Sequence, residues 1–427
     1  MKSVLIFLIV ALVIKDITLI NEPYLLRAIA QGTCLVTGAV WLLSHLDGSV
    51  LKRYWLVIGY MASLFLTVFV ASEPIYVLLQ VVSLSAVIIF FIAYFESRGS
   101  NAESSNDTLI FTTVISYLLF CFLSLLAIKY LPSYAYEYIS REEIRFRGLY
   151  IKSGMTGSAA GILILMTLFG VRNAWLKIFP LFCGSACLAL TLARTTWVGC
   201  FIAVCVASWI YYPRRRVLVA AGASALAFAV FCLFLLNVRP DPETVSSVGR
   251  VLRVGSISTF NGRTKIWQDG LNAFSRTPIL GHGFTAGGEA FHPDNESIRL
   301  STMISANQQS PFSLDKSRSI GKSTLHNGII QSLLDSGIVG TFFYLTAMVA
   351  ALRAFILRDL SRRYPAEFAC MVFLLVTNIA QNVIYSAAVF DSILFWGLVV
   401  FALSLRRRNA VEEPYPVEST GCAWYPA

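Results

Sequence analysis

Charged residues are scarce in this chain of 427 residues: only 14% are Asp, Glu, Lys or Arg, whereas 56% are hydrophobic. A soluble domain of this size would need far more charge, because much of its surface would face water. The composition therefore excludes a soluble globular protein and favours a chain that lies mostly in lipid. Spanning a bilayer takes roughly 20 mainly apolar residues, and such stretches recur from Val4 to Leu405.

Clusters of metal-binding or disulfide-forming residues are also lacking. The nine cysteines include no Cys-x-x-Cys pair, and none lies in the long polar segment between residues 238 and 325. The carboxylates of that segment are dispersed, without a DxD or HExxH pattern, whereas metal-dependent transfer would need them clustered. Gly281-His282-Gly283 is too short for a nucleotide fingerprint and predicts a turn. We therefore expect no disulfide framework, no metal site, no cofactor and no nucleic-acid partner.

The apolar stretches predict about twelve transmembrane helices. The predicted spans are residues 3–20, 24–45, 54–72, 74–95, 109–131, 156–171, 176–193, 196–212, 216–237, 326–357, 366–387 and 390–405. Alternate connections carry the basic residues, namely Lys2, Lys52, Arg53, Arg98, Arg172, Lys177, Arg214, Arg215, Arg216, Arg353, Arg358, Arg362, Arg363, Arg406, Arg407 and Arg408. Because lysine and arginine favour cytoplasmic loops, we expect both termini in the cytoplasm. The predicted fold class is an all-α polytopic membrane bundle.

This topology places two polar segments outside, one near residues 132–156 and a larger one between spans 9 and 10. The larger segment contains apolar residues spaced as in a short amphipathic helix, followed by a Pro-Ile-Leu-Gly turn. A disordered tether would lack them. The predicted organisation is residues 1–237 with nine spans, 238–325 as the large loop that carries the site, 326–405 with three spans, and 406–427 as a cytoplasmic tail.

Two arginines are candidate anion-binding residues. Arg194 ends the seventh predicted span at its outer edge, where a guanidinium beside hydrocarbon is costly unless it meets an anion or a cavity. In the large loop, Gly262 precedes Arg263 and Lys265 at the start of an apolar helix, and a glycine there lets backbone amides approach a phosphate. The structural alternative is that these cations contact lipid phosphates.

His326 is the candidate general base. An unbroken helix from His326 to Leu357, with Ser323 or Thr324 as its cap, would be roughly 47 Å long at about 1.5 Å per residue. Because the hydrocarbon core is about 30 Å thick, its first turns are expected to project outside. The helix dipole would then favour a neutral imidazole that can accept a proton. A structural histidine bonded to a loop carbonyl is the alternative.

Three pieces of the chain resemble the O-antigen ligase and O-antigen polymerase superfamily, multi-spanning glycosyltransferases that act on undecaprenyl-diphosphate-linked glycans. They are Arg194 at a helix end, Gly262-Arg263 through Trp267 to Pro278-Ile279-Leu280-Gly281-His282-Gly283, and His326-Asn327 followed by Gly337 and Gly340. The last is similar to the ligase signature of His, then Asn, Ser or Gln, nine residues, Gly, two residues and Gly. The resemblance covers roughly Arg145 to Phe401. It departs at Ser153-Gly154-Met155-Thr156-Gly157, where relatives often have an Asn.

The resemblance implies a GT-C-like bundle in the cell inner membrane with a periplasmic active site. It implies metal-independent, inverting transfer of a glycan from undecaprenyl diphosphate to the lipid A core oligosaccharide, in lipopolysaccharide biosynthesis. Arg194 and Arg263 would hold the diphosphate, and His326 would accept the proton of the acceptor hydroxyl. The further residues expected to contact substrate are Arg147, Lys265, Trp267, His282 and Asn327.

Three alternatives stay open at this stage. A polymerase would use the same donor but a second lipid-linked glycan as acceptor, and sequence scarcely separates it from a ligase. A secondary transporter should show midplane acidic residues and broken helices repeated between its halves, and the predicted spans contain few such residues. In a structural scaffold, the basic residues of the loop would contact only membrane lipid.

Overall fold

The computed structural model describes residues 1–15, 17, 23–45, 47–97, 102–140, 143–150, 152–211, 263–287, 325–357, 360–381 and 389–405. Several predictions fall on other parts of the chain. They concern the span at 216–237, most of the loop 238–325 including Gly262, the proposed caps Ser323 and Thr324, and the tail 406–427. These predictions lie outside the described residues.

Apolar helices occupy eleven of the twelve predicted positions within the described residues. They are α1 (Lys2–Lys15), α2 (Pro23–His45), α3 (Gly48–Thr67), α4 (Pro74–Glu96), α5 (Ala102–Tyr130), α7 (Ser153–Gly170), α8 (Ala174–Leu190), α9 (Arg194–Tyr211), α11 (Gly328–Leu357), α13 (Pro365–Ala380) and α14 (Phe390–Ser404). The shorter helices are α6 (Pro132–Ala135), α10 (Arg263–Phe274) and α12 (Leu360–Arg363), and a 3₁₀ turn follows α3 at Val68–Val70. Of the described helices, seven are long and apolar enough to cross a membrane, judged by length and composition. The fold is that of an all-α, multi-pass membrane protein, and the count of twelve spans stays a prediction.

Local side chains mark where several helices begin. The Asp47 carboxylate accepts a hydrogen bond from the Val50 backbone N–H at 2.8 Å and so caps α3. Asn173 caps α8 in the same way, through the N–H of Trp175 at 3.0 Å. Such caps satisfy backbone donors that the first turn of a helix leaves without a partner.

The core of the bundle is centred on α14, whose residues are all buried. A helix that is apolar on every face must be enclosed by other helices or by lipid, and here α3, α4 and α11 pack around it. Trp396 of α14 stacks on Tyr60 of α3 with ring centroids 4.7 Å apart, and Phe401 contacts Phe95 of α4 at 5.2 Å. This core fixes α3, α4 and α11 relative to one another.

A two-stranded hairpin interrupts the helical pattern in the smaller polar segment. Strands β1 (Tyr136–Ser140) and β2 (Glu143–Phe146) are antiparallel, with Glu137 opposite Arg145. The residues after β2 are tied to the end of α5, because the Leu149 N–H donates to the Ser124 hydroxyl at 3.2 Å. The hairpin is a small addition to the predicted all-α fold, and it places Arg145 at a defined position.

Helix α11 is broken at Gly337, so the unbroken helix from His326 to Leu357 considered above does not form. Gly337 has φ 64° and ψ −166°, which lies outside the helical region. The hydroxyls of Ser332 and Thr341 are 2.9 Å apart, although residues nine apart in a straight helix are separated by about 13.5 Å. The first part of α11 therefore folds back at Gly337 instead of continuing the axis outward.

The backbone groups that this break leaves without partners in the helix form hydrogen bonds with the Pro-Ile-Leu-Gly turn after α10. Four backbone hydrogen bonds join the two segments: Ile338 N to Pro278 O (2.8 Å), Val339 N to Ile279 O (3.3 Å), His282 N to Leu334 O (2.9 Å) and Gly283 N to Asp335 O (3.0 Å). Buried backbone donors and acceptors need such partners. The predicted helix and turn of the large loop are thus confirmed, and the turn closes the break in α11.

Replacing Gly337 by alanine is expected to destabilise the protein. A Cβ at this position would lie 2.2 Å from the Ile279 carbonyl oxygen, and a left-handed backbone alone costs a residue with a side chain about 1–2 kcal/mol. The measurement is thermal unfolding of the purified protein in detergent. Gly32→Ala is the matched control, because no atom lies within 4 Å of the added Cβ. Equal melting temperatures for both variants would contradict the interlock of turn and break.

Candidate functional site

His326 has a left-handed backbone, which is unusual for a residue with a side chain. Its φ is 52°, a conformation that costs about 1–2 kcal/mol and persists only when the surroundings impose it. On the preceding residue, the Leu325 carbonyl accepts a hydrogen bond from the Trp267 indole at 2.8 Å, and the Leu325 N–H donates to Gln331 Oε1 at 3.0 Å. Both polar groups of Leu325 are therefore fixed.

On its other side, His326 is followed by the cap of α11. The Asn327 side-chain oxygen accepts hydrogen bonds from the N–H groups of Ile329 and Ile330, both at 3.0 Å. Helix α11 accordingly begins at Gly328, two residues later than predicted from the sequence. The imidazole of His326 lies just before a helix start, held between two anchored neighbours.

Helix α10 brings Arg263 to the end of α13. Its apolar residues Ile266, Ala273 and Phe274 pack against Leu325, Leu334 and Ile330. With α10 fixed in this way, the Arg263 guanidinium donates from Nη1 to the Ala380 carbonyl oxygen at 2.6 Å. A cation at the C-terminus of a helix is stabilised by unpaired carbonyls there. Arg263 thus has one structural contact and further N–H groups with which to bind an anion.

The environment of His326 keeps its ring neutral. Burial, which is the largest cause, and the positive charges of Arg263 and Lys152 together lower the pKa of His326 to about 4. The prediction of a neutral imidazole has the same direction, but it rested on the helix dipole, whereas burial is the larger cause here. A ring with so low a pKa carries no proton at neutral pH and is free to accept one.

Arg145 connects Arg263 to the third candidate, Arg194. Burial and the charge of Arg145 both lower the pKa of Arg263, and Arg145 also lies close enough to Arg194 for the two positive charges to repel each other. The start of α9, where Arg194 lies, is also joined to the end of α13, because Gln381 Nε2 donates to the Thr195 hydroxyl. The three residues predicted to be catalytic thus lie around the end of α13, with Arg145 among them.

This arrangement suits an anion with several negative charges. Cations that repel one another gain most when an anion binds between them, and guanidinium groups match phosphate oxygens in geometry. The described residues contain no group of three or more His, Cys, Asp or Glu that could hold a metal ion. The chemistry that these side chains offer is therefore a proton acceptor beside an anion-binding cluster.

Residues 179–345 match the family model described as O-antigen ligase. This segment, which is about two fifths of the chain, is similar to the O-antigen ligase family. It contains Arg194, Arg263 and His326, and it confirms the resemblance to the O-antigen ligase and polymerase superfamily that the sequence indicated. No curated protein matches the chain. The match supports a ligase or polymerase type of function in lipopolysaccharide biosynthesis, carried out by a membrane glycosyltransferase-like enzyme.

Four of the five predicted substrate-binding residues form hydrogen bonds with backbone groups. Trp267 and Asn327 hold the backbone around His326, as described above. His282 Nε2 lies 3.1 Å from the Ala273 carbonyl oxygen, and the buried Arg147 donates from Nε to the Tyr134 carbonyl at 2.8 Å. Lys265 is exposed on α10. Substrate contacts by these residues stay predictions, and the first four have structural roles.

Two cations of the site, Arg145 and Lys152, were missed as candidates from the sequence. Both lie before the segment that matches the family model, between α5 and α7. A signal was present, because this segment carries several basic residues while the other short connections predicted to lie outside have almost none. Their proximity to Arg263 and His326 depends on the hairpin and on helix packing, which hydropathy does not reveal.

Replacing Lys152 by glutamine is expected to raise the pKa of His326. The charge of Lys152 disfavours the imidazolium, so its removal makes protonation easier, and the group charges at a higher pH. The measurement is an NMR titration of isotope-labelled histidine in the detergent-solubilised protein. Lys129→Gln, at the end of α5 and not among the charges that act on His326, is the matched control. An unchanged titration in the Lys152 variant would remove this residue from the site.

Proposed function

We propose that this protein is an O-antigen ligase, which moves a glycan from undecaprenyl diphosphate to the lipid A core oligosaccharide without a metal ion. The observation that carries the proposal is the neutral imidazole of His326 beside Arg263, with Arg145 and Arg194 close by. A base and an anion-binding cluster side by side are the two groups that glycan transfer from a diphosphate requires.

Each group has one task in the proposed reaction. The arginines bind the diphosphate and stabilise the negative charge that develops on it as the bond between its oxygen and the anomeric carbon breaks. The acceptor hydroxyl attacks that carbon from the opposite face, and the imidazole of His326 takes its proton. The diphosphate leaves with the bonding electron pair. One such displacement inverts the anomeric configuration.

The proposed site faces the periplasm at the outer surface of the inner membrane, with both chain termini in the cytoplasm. Helix α3 supports this orientation, because its first turns carry Arg53, which forms an ion pair with Glu96 at the end of α4. At its other end, the Thr67 hydroxyl accepts a hydrogen bond from the Phe284 N–H at 3.1 Å. The 20 residues of α3 span about 30 Å, which is the thickness of the hydrocarbon core. This length supports placing the basic end of α3 and the end that contacts the loop at Phe284 on opposite sides of the membrane.

The spacing of the His-Asn-Gly-Gly signature favours a ligase over a polymerase. In the structure the signature has a physical meaning, since Asn327 caps α11 and Gly337 breaks it, with nine residues between them. Those residues form the short folded-back part of the helix. The signature therefore describes a unit that presents His326, and a polymerase with the same donor remains the second candidate because of the shared family.

An acceptor assay is expected to show transfer to lipid A core. The purified protein, in proteoliposomes with an undecaprenyl-diphosphate-linked glycan, is offered lipid A core or a second lipid-linked repeat unit. Transfer should persist with EDTA, because the protein supplies the positive charge. Growth of the lipid-linked glycan in place of ligation would identify a polymerase. Absence of any transfer would favour a transporter or a scaffold.

A further inference from the structure

Asp335 is a buried carboxylate that the proposed reaction does not use. It lies on α11 two residues before the break and is fully buried. Its oxygens accept three hydrogen bonds, from Gln331 Nε2 at 2.9 Å, the Gly287 N–H at 3.0 Å and the Thr285 N–H at 3.1 Å. A buried carboxylate is tolerated only when its oxygens are satisfied. Three directed donors indicate that it organises the segments around it.

Gln331 links Asp335 to Leu325, the residue before His326, through two hydrogen bonds. Its side chain is almost completely buried, one helical turn before Asp335. Because a carboxylate only accepts hydrogen bonds, it selects the NH₂ end of the Gln331 amide, and the amide oxygen then faces the other way. That oxygen accepts the hydrogen bond from the Leu325 N–H at 3.0 Å. Asp335 thus sets the orientation of the Gln331 amide, so that its oxygen faces the N–H of Leu325.

The same carboxylate is connected to the fixed bundle. Asp335 accepts hydrogen bonds from two N–H groups of the loop at residues 284–287. This loop contacts the end of α3 and the start of α4. There the Phe284 N–H donates to the Thr67 hydroxyl at 3.1 Å, and the Thr285 hydroxyl donates to the Tyr76 hydroxyl at 3.3 Å. A continuous set of hydrogen bonds therefore runs from the bundle to the backbone at Leu325.

We propose that Gln331 and Asp335 are positioning residues that hold His326 in its left-handed conformation, partly buried near Arg263. This inference rests on the proposed function and adds a residue role to it. A left-handed residue returns to the common backbone region unless its neighbours prevent it. The hydrogen bond from Leu325 to Gln331 is one of the two contacts that fix the preceding peptide. Without it, the imidazole turns out of its buried position.

The titration of His326 reports this change directly. Burial is the largest cause of its low pKa, and the charged groups that act on it are Arg263 from α10 and Lys152 before α7. A ring that turns toward water loses the burial and moves away from both cations. Its pKa then rises from about 4 toward the ordinary value of 6.5.

The experiment compares Gln331→Met and Asp335→Asn with the unchanged protein. Methionine keeps the volume of Gln331 without its amide. Asparagine replaces one of the two acceptor oxygens of Asp335 by an NH₂ donor, which weakens the preference for one orientation of the Gln331 amide. Two measurements are made on the full chain in detergent, namely NMR titration of labelled histidine and the pH dependence of glycan transfer. Four histidines are present, and His326→Gln identifies the signal. In both variants the His326 pKa and the acidic limit of kcat are expected to rise together. We expect kcat to fall about 10- to 100-fold at neutral pH, as a base loses its position, with KM for the donor unchanged.

Ser332→Ala provides the matched control. It removes a buried hydrogen bond from the same helical turn, the one to Thr341, without touching Leu325. It should lower thermal stability and leave the His326 pKa unchanged. An unchanged His326 pKa in both Gln331→Met and Asp335→Asn would overturn the positioning role even if His326→Ala abolishes transfer. Transfer retained in His326→Ala would instead sink the proposed function, and the titration would still decide the positioning.

Discussion

Replacing His326 by alanine is expected to lower the rate of glycan transfer by about 10²- to 10⁴-fold, the usual contribution of a general base. The neutral ring, with a pKa of about 4, accepts the proton of the attacking hydroxyl, and alanine has no group that can do so. A second expectation concerns the abundance of this variant. Because the ring is not needed to hold α11, whose cap is Asn327, the abundance of the variant should stay the same. Initial rates with lipid A core, divided by the amount of folded protein, give the measurement.

Two further variants separate the base from the backbone at this position. His326→Asn keeps a residue that tolerates the left-handed region but offers no proton acceptor at neutral pH, so it should be as inactive as the alanine variant. His45→Ala is the control, because His45 lies exposed at the end of α2 and stacks on Trp41. Transfer at the original rate in His326→Asn would show that the imidazole is not the base.

The helices could be predicted from the sequence because each needs only a long apolar run. Hydropathy alone therefore located all eleven predicted spans that fall within the described residues, and the amphipathic pattern located α10. The break at Gly337 could not be found in this way, because the apolar pattern continues across it. It is stabilised by backbone partners at residues 278–283, about sixty residues earlier in the chain. Pairing at that separation is a property of the fold.

Part of the candidate site could be predicted, because some of its residues occur in local sequence patterns. Arg194, Arg263 and His326 occur in recognisable local patterns, and the structure places them around the end of α13. Arg145 has no such pattern, since its position depends on a hairpin and on how α7, α9 and α13 pack. Asn327 was predicted to bind substrate, yet it is the cap of α11. Its hydrogen-bonding groups suit either role, and only the start of the helix shows the structural one.

Replacing Arg263 by alanine is expected to lower kcat/KM for the donor by about 10²- to 10³-fold, which is typical for the loss of one group that stabilises developing negative charge. The charge of the Arg263 guanidinium helps, after burial, to lower the pKa of the His326 imidazole. Removing its charge therefore also raises the pKa of His326 and moves the acidic limit of the remaining activity to higher pH. Lysine at this position should restore the charge effect on His326 but only part of the rate, because an ammonium lacks the planar geometry that matches a diphosphate.

The same substitution also removes the hydrogen bond to the Ala380 carbonyl at the end of α13, so stability must be measured beside activity. Arg276→Ala is the matched control, because Arg276 is exposed just after α10 and loses the same charge from the same loop. If Arg263 only capped α13, activity per folded molecule at neutral pH would stay near that of the control, although the acidic limit would still rise with the loss of the charge. If the cation holds the donor, both quantities change in the Arg263 variant alone, and their common origin is the loss of positive charge next to the imidazole.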